Sequence, residues 1–255
     1  MNKKKLHFNE YAKFYDLVYK KKNSFKEISF VKKKLNLNFN SSLIDLGCGT
    51  FRHSIFLINT VKNLTGIDLS TNMLRIAKKK LKNKKNKKNV IIKKANLINF
   101  KFNQKFNAAY SLFDVICLMT KEKDLKKFFL NLSKHLEPKS LVYLDYWFKP
   151  AVFNLKIKNI TQTFENKFFK IVRRKIQKMY KSKNFVDVTF EFEIYNKKTK
   201  KNYFFSEKHP MRFFDTKDIE RLSKKYFYIK QHLSNYTNQK PSKKRWQSSS
   251  ILIRK

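Results

Sequence analysis

The sequence predicts an α/β fold, in which helices cover both faces of a mostly parallel sheet and an antiparallel β insertion follows the fifth strand. Through residue 150, short apolar runs typical of strands alternate with amphipathic stretches typical of helices. Between residues 151 and 212, apolar and polar residues alternate with a period of two, as in an antiparallel sheet with one solvated face. We therefore predict three parts: a helical and α/β core at 1–150, the β insertion at 151–212, and a closing helix and strands at 213–255.

The core is predicted to begin with helical residues 9 to 37 and to continue with five strands. The strands are "SLIDL", "LTGIDL", "NVIIKKA", "FNAAYSLF" and "SLVYLDYWF". The helices between them are "RHSIFLINTV", "STNMLRIAKKKLKNKK" with Ser70 as N-cap, and "KEKDLKKFFLNLSKHL" closed by Pro138. Strands joined by helices form a parallel sheet, and ligands bind beyond the carboxyl ends of such strands.

The insertion is predicted from three alternating runs, "FFKIVRRKIQKMY", "FVDVTFEFEIYN" and "NYFFSEKHPMRFF". Its apolar face, for example Val186, Val188 and Phe190, must be covered either by the pocket or by a second subunit in a homodimer. A helix over "DTKDIERLSKKY", capped by Asp215 or Thr216, and strands over "FYIKQHL" and "SSSILIRK" complete a seven-stranded sheet.

Composition limits the function classes. The chain has a formal net charge of +42, but only 8 of its 60 basic residues are arginine. Because arginine is the residue most used to bind phosphate and guanine bidentately, we expect no specific nucleic-acid partner. Two cysteines, the lack of an apolar run of about 18 residues and the lack of a secretory signal predict a cytoplasmic protein without membrane spans.

The three glycines of the chain, Gly47, Gly49 and Gly66, lie within twenty residues of one another. In so glycine-poor a chain, they are expected where the backbone needs positive φ or contacts a ligand. The phosphate-binding pattern GxxxxGK[ST] is absent, and the third position of a dinucleotide GxGxxG turn is Arg52. The remaining interpretation is an acidic-x-Gly-x-Gly turn for S-adenosylmethionine, with Asp68 for the ribose hydroxyls.

With these residues the chain resembles the class I S-adenosylmethionine-dependent methyltransferases. "LIDLGCGTFRHSIFL" is similar to the family's first motif and "TGIDLSTNML" to its second, while "FNAAYSLFDVICLM" is similar to its fourth-strand motif. The resemblance implies a Rossmann-like sheet and S-adenosylmethionine as cofactor. The segments "YAKFYDLVY", "DYWFKP" and "HPMRFF" resemble the sugar N,N-dimethyltransferases that act on nucleotide-linked amino sugars. Phe51 and Asn96 depart from the usual Gly and Asp, and we expect Phe51 to crowd the turn.

The resemblance also implies a cofactor site. Asp45 and the glycine turn would line the methionine portion, Asp68 would bind the ribose, and Tyr15 would cover the cofactor. The full set of implied cofactor residues is Tyr15, Asp45, Gly47, Cys48, Gly49, Asp68, Leu69, Met73, Asn96, Leu97, Ser111 and Phe113.

Methyl transfer needs alignment of the two reactants, and it needs a base only if the acceptor arrives protonated. We predict Asp145 and His209 as base candidates, with Tyr146 and Trp147 as walls of the substrate pocket, and no metal. The acceptor is predicted to be a small polar molecule, with an amine such as an amino sugar as the working hypothesis. An RNA methyltransferase, or a binding protein of the same fold without catalysis, remains the alternative.

Overall fold

A seven-stranded sheet forms the centre of the computed structural model, which describes residues 8–84 and 87–255. Its strands are β1 Ser42–Leu46, β2 Asn63–Asp68, β3 Val90–Lys94, β4 Phe106–Ser111, β5 Leu136–Trp147, β10 Phe227–Ser234 and β11 Gln247–Arg254, with β6 to β9 forming a second sheet. The order across the sheet is β10-β11-β5-β4-β1-β2-β3. The pairs of β1 with β2, β2 with β3, β1 with β4, and β4 with β5 are parallel, whereas β11 is antiparallel to both of its neighbours. This is the predicted mostly parallel sheet.

The topology places a ligand site beside β1. The chain crosses from β1 to β2 on one side, and it returns to β4 on the other side. A crevice forms outside the carboxyl ends of the strands at such a reversal of direction. The segments that follow β1 and β4 therefore meet at this edge of the sheet.

The helices are α1 Tyr15–Val18, α2 Ser24–Lys34, α3 Thr71–Lys82, α4 Glu122–Lys134, α5 Lys149–Asn154 and α6 Thr216–Ser223. Two predicted caps are confirmed: Ser70 accepts a hydrogen bond from the amide of Met73 at the start of α3, and Asp215 forms a capping box with Asp218 in α6. Pro138 lies within β5 and not at a helix end, because α4 already ends at Lys134.

The helix predicted over residues 52–61 is wrong. The segment forms only a short 3₁₀ turn at Ser54–Phe56. The hydroxyl of Ser54 donates to Asp45 below it, and the ring of His53 contacts Glu27 of α2 at 2.7 Å. Ser54 and His53 thus make their hydrogen bonds with residues outside this segment. The Ser, Ile, Asn and Thr residues of the segment also have weak helix propensity, so a regular helix does not form.

The insertion is a separate antiparallel sheet of four strands, β6 Ile160–Glu165, β7 Phe169–Tyr180, β8 Phe185–Asn196 and β9 Lys201–Arg212. β6 was not predicted, and its residues are almost all exposed. The apolar face of β8 is buried as predicted, and Phe192 packs against Tyr11 of the N-terminal segment, residues 8–19, in a cluster that also contains Phe14. The chain itself thus covers this face without a second subunit.

No described helix is long and apolar enough to cross a membrane. The division of the chain at residues 150 and 212 stays a prediction, as does the homodimer.

Candidate active site

A cavity of about 420 Å³ lies beyond the carboxyl ends of β1, β2 and β4. Its walls come from the turn after β1, the end of β2, residues 95–98, and residues 112–115 and 118–121 after β4. Phe8 and Tyr15 of the N-terminal segment and Pro210 and Met211 of β9 complete it. The N-terminal segment and the insertion therefore cover a cavity that lies at the edge of the central sheet.

Two glycines shape the turn after β1, for different reasons. Gly47 has a φ of +86°, and a Cβ on it would lie 2.5 Å from a methyl carbon of Val115. Gly49 has a φ of +52°, and a Cβ there would meet no atom within 4 Å. Gly47 is thus required by close packing against the loop after β4, whereas Gly49 presents bare backbone to the cavity, as close approach by a ligand requires.

Gly66 has a third role, which concerns packing in the core. A Cβ on Gly66 would lie 2.9 Å from Cε2 of Phe51 and 3.0 Å from the sulfur of Cys48. Phe51 has a φ of +63° and is fully buried. Its ring fills the space over Gly66 and does not line the cavity, so the expected crowding occurs in the core below the turn.

Asp68 lies at the end of β2 on the cavity wall. One carboxylate oxygen accepts the Gly49 amide at 2.8 Å, and the other accepts the Ser70 amide at 2.8 Å. Burial raises the pKa of Asp68, and these backbone hydrogen bonds oppose the shift. Each oxygen keeps a lone pair, so the group fits the two hydroxyls of a ribose.

Most of the residues predicted for the cofactor line this one cavity. They are Tyr15, Gly47, Cys48, Gly49, Asp68, Leu69, Met73, Asn96, Leu97 and Phe113. The Asn96 side-chain oxygen accepts the Ile98 amide at 3.2 Å and keeps its second lone pair, so it can still accept from an adenine amino group.

Two predicted cofactor residues, Asp45 and Ser111, lie beneath the cavity. Asp45 accepts hydrogen bonds from Ser54 and, at 3.2 Å, from the Tyr110 hydroxyl, and burial raises the pKa of Asp45 to about 7. Ser111 donates to the Leu46 carbonyl at 3.0 Å. Both support the turn from inside the core and do not form part of its cavity surface.

Asp145, which was predicted as a base candidate, does not line the cavity, and its side chain is fully buried. Its two oxygens accept the backbone amides of Phe113 and Asp114, each at 2.8 Å. Those two residues have φ values of 70° and 63°, a conformation that most residues avoid. Burial, and then the charge of Asp114, raises the pKa of Asp145 to about 8. Asp145 therefore holds the loop after β4.

The other predicted catalytic and substrate residues do not line the cavity, although the Trp147 side chain contacts Asp114 on its wall. The Tyr146 hydroxyl pairs with Ser250 at 2.9 Å, and the Trp147 ring packs against Trp246. His209 is buried between the insertion and the N-terminal segment, with its Nε2 atom 3.1 Å from Glu207. β11 and the N-terminal segment cover these residues.

Asp114 is the functional candidate that the sequence analysis missed. It lines the cavity and is 9% exposed. Its Oδ2 atom accepts a hydrogen bond from Gln247 at 2.7 Å, whereas Oδ1 is buried and accepts no hydrogen bond of normal geometry from the described residues. Burial raises the pKa of Asp114 to about 6, and hydrogen bonds from the side chains of Gln247 and Trp147 oppose the shift. The signal in the sequence is a single acid in the apolar run "SLFDVICL".

Arg52 provides a second unpartnered group on the cavity wall. Its Nε donates to Ser24 at 2.8 Å, but Nη1 is buried with no partner among the described residues. A buried guanidinium nitrogen beside the bare backbone of Gly49 fits an anionic group, such as the carboxylate of a methionine moiety.

Comparisons with known proteins agree with this geometry. Residues 43–139 match a family model described as a methyltransferase domain. The dTDP-3-amino-3,4,6-trideoxy-alpha-D-glucopyranose N,N-dimethyltransferase of Streptomyces venezuelae is 27% identical over 113 residues. That match takes in 44% of this chain and 45% of that protein, so the chain aligns with less than half of this curated relative.

Solved structures cover more of the chain. An S-adenosylmethionine-dependent methyltransferase from Clostridium acetobutylicum has a TM-score of 0.79 at 22% identity, over 96% of this chain and 97% of that one. CalS10, an amino pentose methyltransferase from Micromonospora echinaspora solved with S-adenosylmethionine bound, has a TM-score of 0.73 at 15% identity, over 99% of this chain and 100% of that one. Residues 43–139 thus match a methyltransferase domain, and nearly the whole chain has the fold of a solved S-adenosylmethionine-dependent methyltransferase.

Proposed function

We propose that this protein transfers a methyl group from S-adenosylmethionine to the nitrogen of a small amine, and that Asp114 takes the proton from that nitrogen. One observation carries the proposal: Asp114 brings a buried carboxylate to the cavity wall, held by Gln247 and contacted by Trp147, and its Oδ1 accepts no hydrogen bond of normal geometry from the described residues. Buried polar atoms normally have hydrogen-bond partners, so an orphaned one on a cavity wall points to a ligand. The name of the Streptomyces venezuelae relative, an N,N-dimethyltransferase of an amino sugar, supports the same chemistry.

The residues around the glycine turn would hold the cofactor. Asp68 would accept hydrogen bonds from the ribose hydroxyls, the Gly49 backbone would contact the methionine portion, and Arg52 would pair with its carboxylate. When bound, S-adenosylmethionine supplies a methyl group on a positively charged sulfur. The protein's task is then to place the acceptor nitrogen in line with that methyl group and to exclude water.

Asp114 would perform two steps in turn. An aliphatic amine is an ammonium ion at neutral pH, and its nitrogen has no free lone pair until the proton leaves. The Asp114 carboxylate would first pair with the ammonium and then accept its proton. Because burial raises the pKa of Asp114 to about 6, the carboxylate is still mostly ionised at pH 7 but is a stronger base than an exposed aspartate.

The apolar walls suit a small acceptor. Phe8, Phe113, Met73 and Met211 line the cavity, and the insertion and the N-terminal segment narrow the access to it. The described part of the basic run at residues 75–94 lies chiefly in the end of α3 and in the loop before β3, at the opposite edge of the sheet. We therefore retain a small polar molecule as the acceptor and no specific nucleic acid as partner. A cytoplasmic location is part of the same proposal.

The test is a methyl-transfer screen against small amines, amino sugars, hydroxylated metabolites and total RNA, followed by kinetics of Asp114→Asn on the best acceptor. We expect kcat/KM to fall by about 10² to 10⁴, the usual contribution of a general base. Cofactor affinity, measured by calorimetry, should not change. Asp187→Asn, on the outer face of the insertion, is the matched control and should retain full activity.

Two results would contradict the proposal. An unchanged rate of the Asp114→Asn variant would exclude this aspartate as the base. A defined RNA that is methylated in preference to every small amine would replace the proposed acceptor.

A further inference from the structure

We infer that His53 is a further substrate-binding residue of the cavity, whose Nδ1 atom accepts a hydrogen bond from the acceptor amine while Asp114 takes the proton. This inference rests on the proposed function, because it concerns the same acceptor nitrogen. It comes from the different surroundings of the two ring nitrogens of His53: one is held by a glutamate, and the other has no hydrogen-bond partner among the described residues.

His53 belongs to the cavity wall and comes shortly after the glycine turn. Its side chain is 7% exposed, and its Nε2 atom lies 2.7 Å from a carboxylate oxygen of Glu27 in α2, whose side chain is 13% exposed. The centroid of the His53 ring lies 6.4 Å from that of Phe113. Phe113 and Asp114 line the same cavity, so His53 lies near the loop that carries the proposed base.

The charges around His53 decide which ring nitrogen carries the proton. Burial opposes the ionisation of Glu27, but the hydrogen bond with His53 and nearby positive charges hold its pKa below the usual value. An ionised carboxylate only accepts hydrogen bonds, so Nε2 is the protonated nitrogen. Burial lowers the pKa of His53, although the hydrogen bond with Glu27 opposes the shift. The cations Lys22 and Arg52 favour an ionised Glu27 beside a neutral ring, which has its lone pair on Nδ1.

His53 differs at its second nitrogen from a histidine that serves the fold. His232 is also paired with a glutamate, since its Nε2 lies 3.0 Å from Glu220, but its Nδ1 is paired with the Ser250 hydroxyl at 2.8 Å. Nδ1 of His53 makes no hydrogen bond with any described residue. The two nitrogens of an imidazole point in nearly opposite directions, so the contact with Glu27 leaves the lone pair of Nδ1 for the cavity. A polar atom without a partner on a cavity wall points to a ligand.

A purely structural role accounts for Nε2 only. The contact with Glu27 ties residues 52–61 to α2, but a glutamine amide would donate to this carboxylate equally well. A carboxylate that holds one imidazole nitrogen also fixes the tautomer and directs the lone pair of the other, as in enzymes whose histidine faces the substrate. The pair of His53 and Glu27 therefore fits a group that contacts the acceptor.

An amine acceptor uses both cavity groups. Asp114 would accept one proton of the ammonium, and a remaining N–H would donate to Nδ1 of His53. This second contact fixes the rotation of the nitrogen, so that its freed lone pair points along the line of attack. The new nitrogen–carbon bond forms as the carbon–sulfur bond breaks, and the electron pair of that bond goes to the sulfur. His53 keeps its Nε2 proton, so the one proton released in each transfer goes to Asp114.

The test separates the two nitrogens of His53 with two variants. In His53→Asn, the amide oxygen takes the approximate place of Nδ1, but the shorter side chain loses Glu27. In His53→Gln, the amide reaches Glu27 but leaves no acceptor in the place of Nδ1. We expect kcat/KM for D-glucosamine, or for the amine that the wild type prefers in the screen, to fall about 10- to 100-fold in His53→Gln, the range for a hydrogen bond to a charged group. His53→Asn should be several-fold more active than His53→Gln, whereas a structural role predicts the opposite order.

S-adenosylmethionine affinity, measured by calorimetry, and the melting temperature provide readouts apart from turnover. We expect both to change little in His53→Gln, and His232→Gln is the matched control that should keep full activity. Wild-type activity of His53→Gln, or a His53→Gln variant more active than His53→Asn, would overturn the inference and leave the proposed function intact. Weaker cofactor binding by His53→Gln at an unchanged kcat would assign Nδ1 to the cofactor and would also overturn it. If the wild type methylates no amine, the proposed function fails and the inference fails with it.

Discussion

Gly66 packs so closely against Phe51 that alanine at this position should destabilise the fold. In Gly66→Ala, the new Cβ would lie 2.9 Å from the Phe51 ring, closer than such atoms approach, and 3.0 Å from the Cys48 sulfur, which is a tight contact. Gly66 pairs with Asp45 on one side and with Ile92 on the other, so the strand cannot shift freely. Overpacking of this kind costs about 1–3 kcal/mol of the free energy of unfolding.

Urea unfolding followed by circular dichroism would measure this cost. The decisive comparison is a double-mutant cycle with Phe51→Leu, which shortens the side chain that blocks the new methyl group. We expect Gly66→Ala to cost at least 0.5 kcal/mol less in the Phe51→Leu background, within the range found for residues in contact. If Gly66→Ala is neutral, or costs the same in both backgrounds, then Phe51 is not the reason for this glycine.

Three further predictions concern the site. Asp68→Ala should weaken S-adenosylmethionine binding by about 1.5–3 kcal/mol in calorimetry, because it removes a charged acceptor of the ribose hydroxyls, and Asp68→Asn should weaken binding less. Equal affinity of the wild type and both variants would show that Asp68 does not bind the ribose. Asp145→Asn should lower the free energy of unfolding by about 1–3 kcal/mol, because the side-chain amide can accept a hydrogen bond from only one of the two backbone donors of the loop. The variant should also have a lower kcat at unchanged cofactor affinity. An unchanged kcat would show that the loop keeps its shape without Asp145. The rate should fall as the pH drops through about 6, where the Asp114 carboxylate gains a proton, and a flat profile between pH 5 and 8 in the wild type would contradict Asp114 as the base.

The residues that the sequence placed at the cavity lie close together along the chain, so local structure determines their positions. Gly47 and Gly49 lie in the turn after β1, and Asp68 lies at the end of β2, so the order strand, turn, strand already places them at one cavity edge. The alternation of β8 likewise predicted its buried face, because a period of two allows only one assignment.

The residues that the sequence misplaced depend on distant parts of the chain. Asp145 ends a strand near the cavity, but Tyr236, Asn235 and the loop amides occupy its carboxylate. Asp114 reaches the cavity only because two consecutive left-handed residues turn the loop after β4. A left-handed Phe–Asp pair has no strong sequence signal, so this acid could not be recognised without the fold.

The proposed reaction moves a methyl group from S-adenosylmethionine to an amine nitrogen in this cavity. The most direct measurement uses cofactor with a ¹³C-labelled methyl group, a panel of amines and the wild-type protein, with mass spectrometry and NMR of the product. We expect label on the nitrogen of a small amine, and no label when the acceptor amine is acetylated. Label on an oxygen, on a carbon or on RNA, or bound cofactor without transfer to any amine, would contradict it.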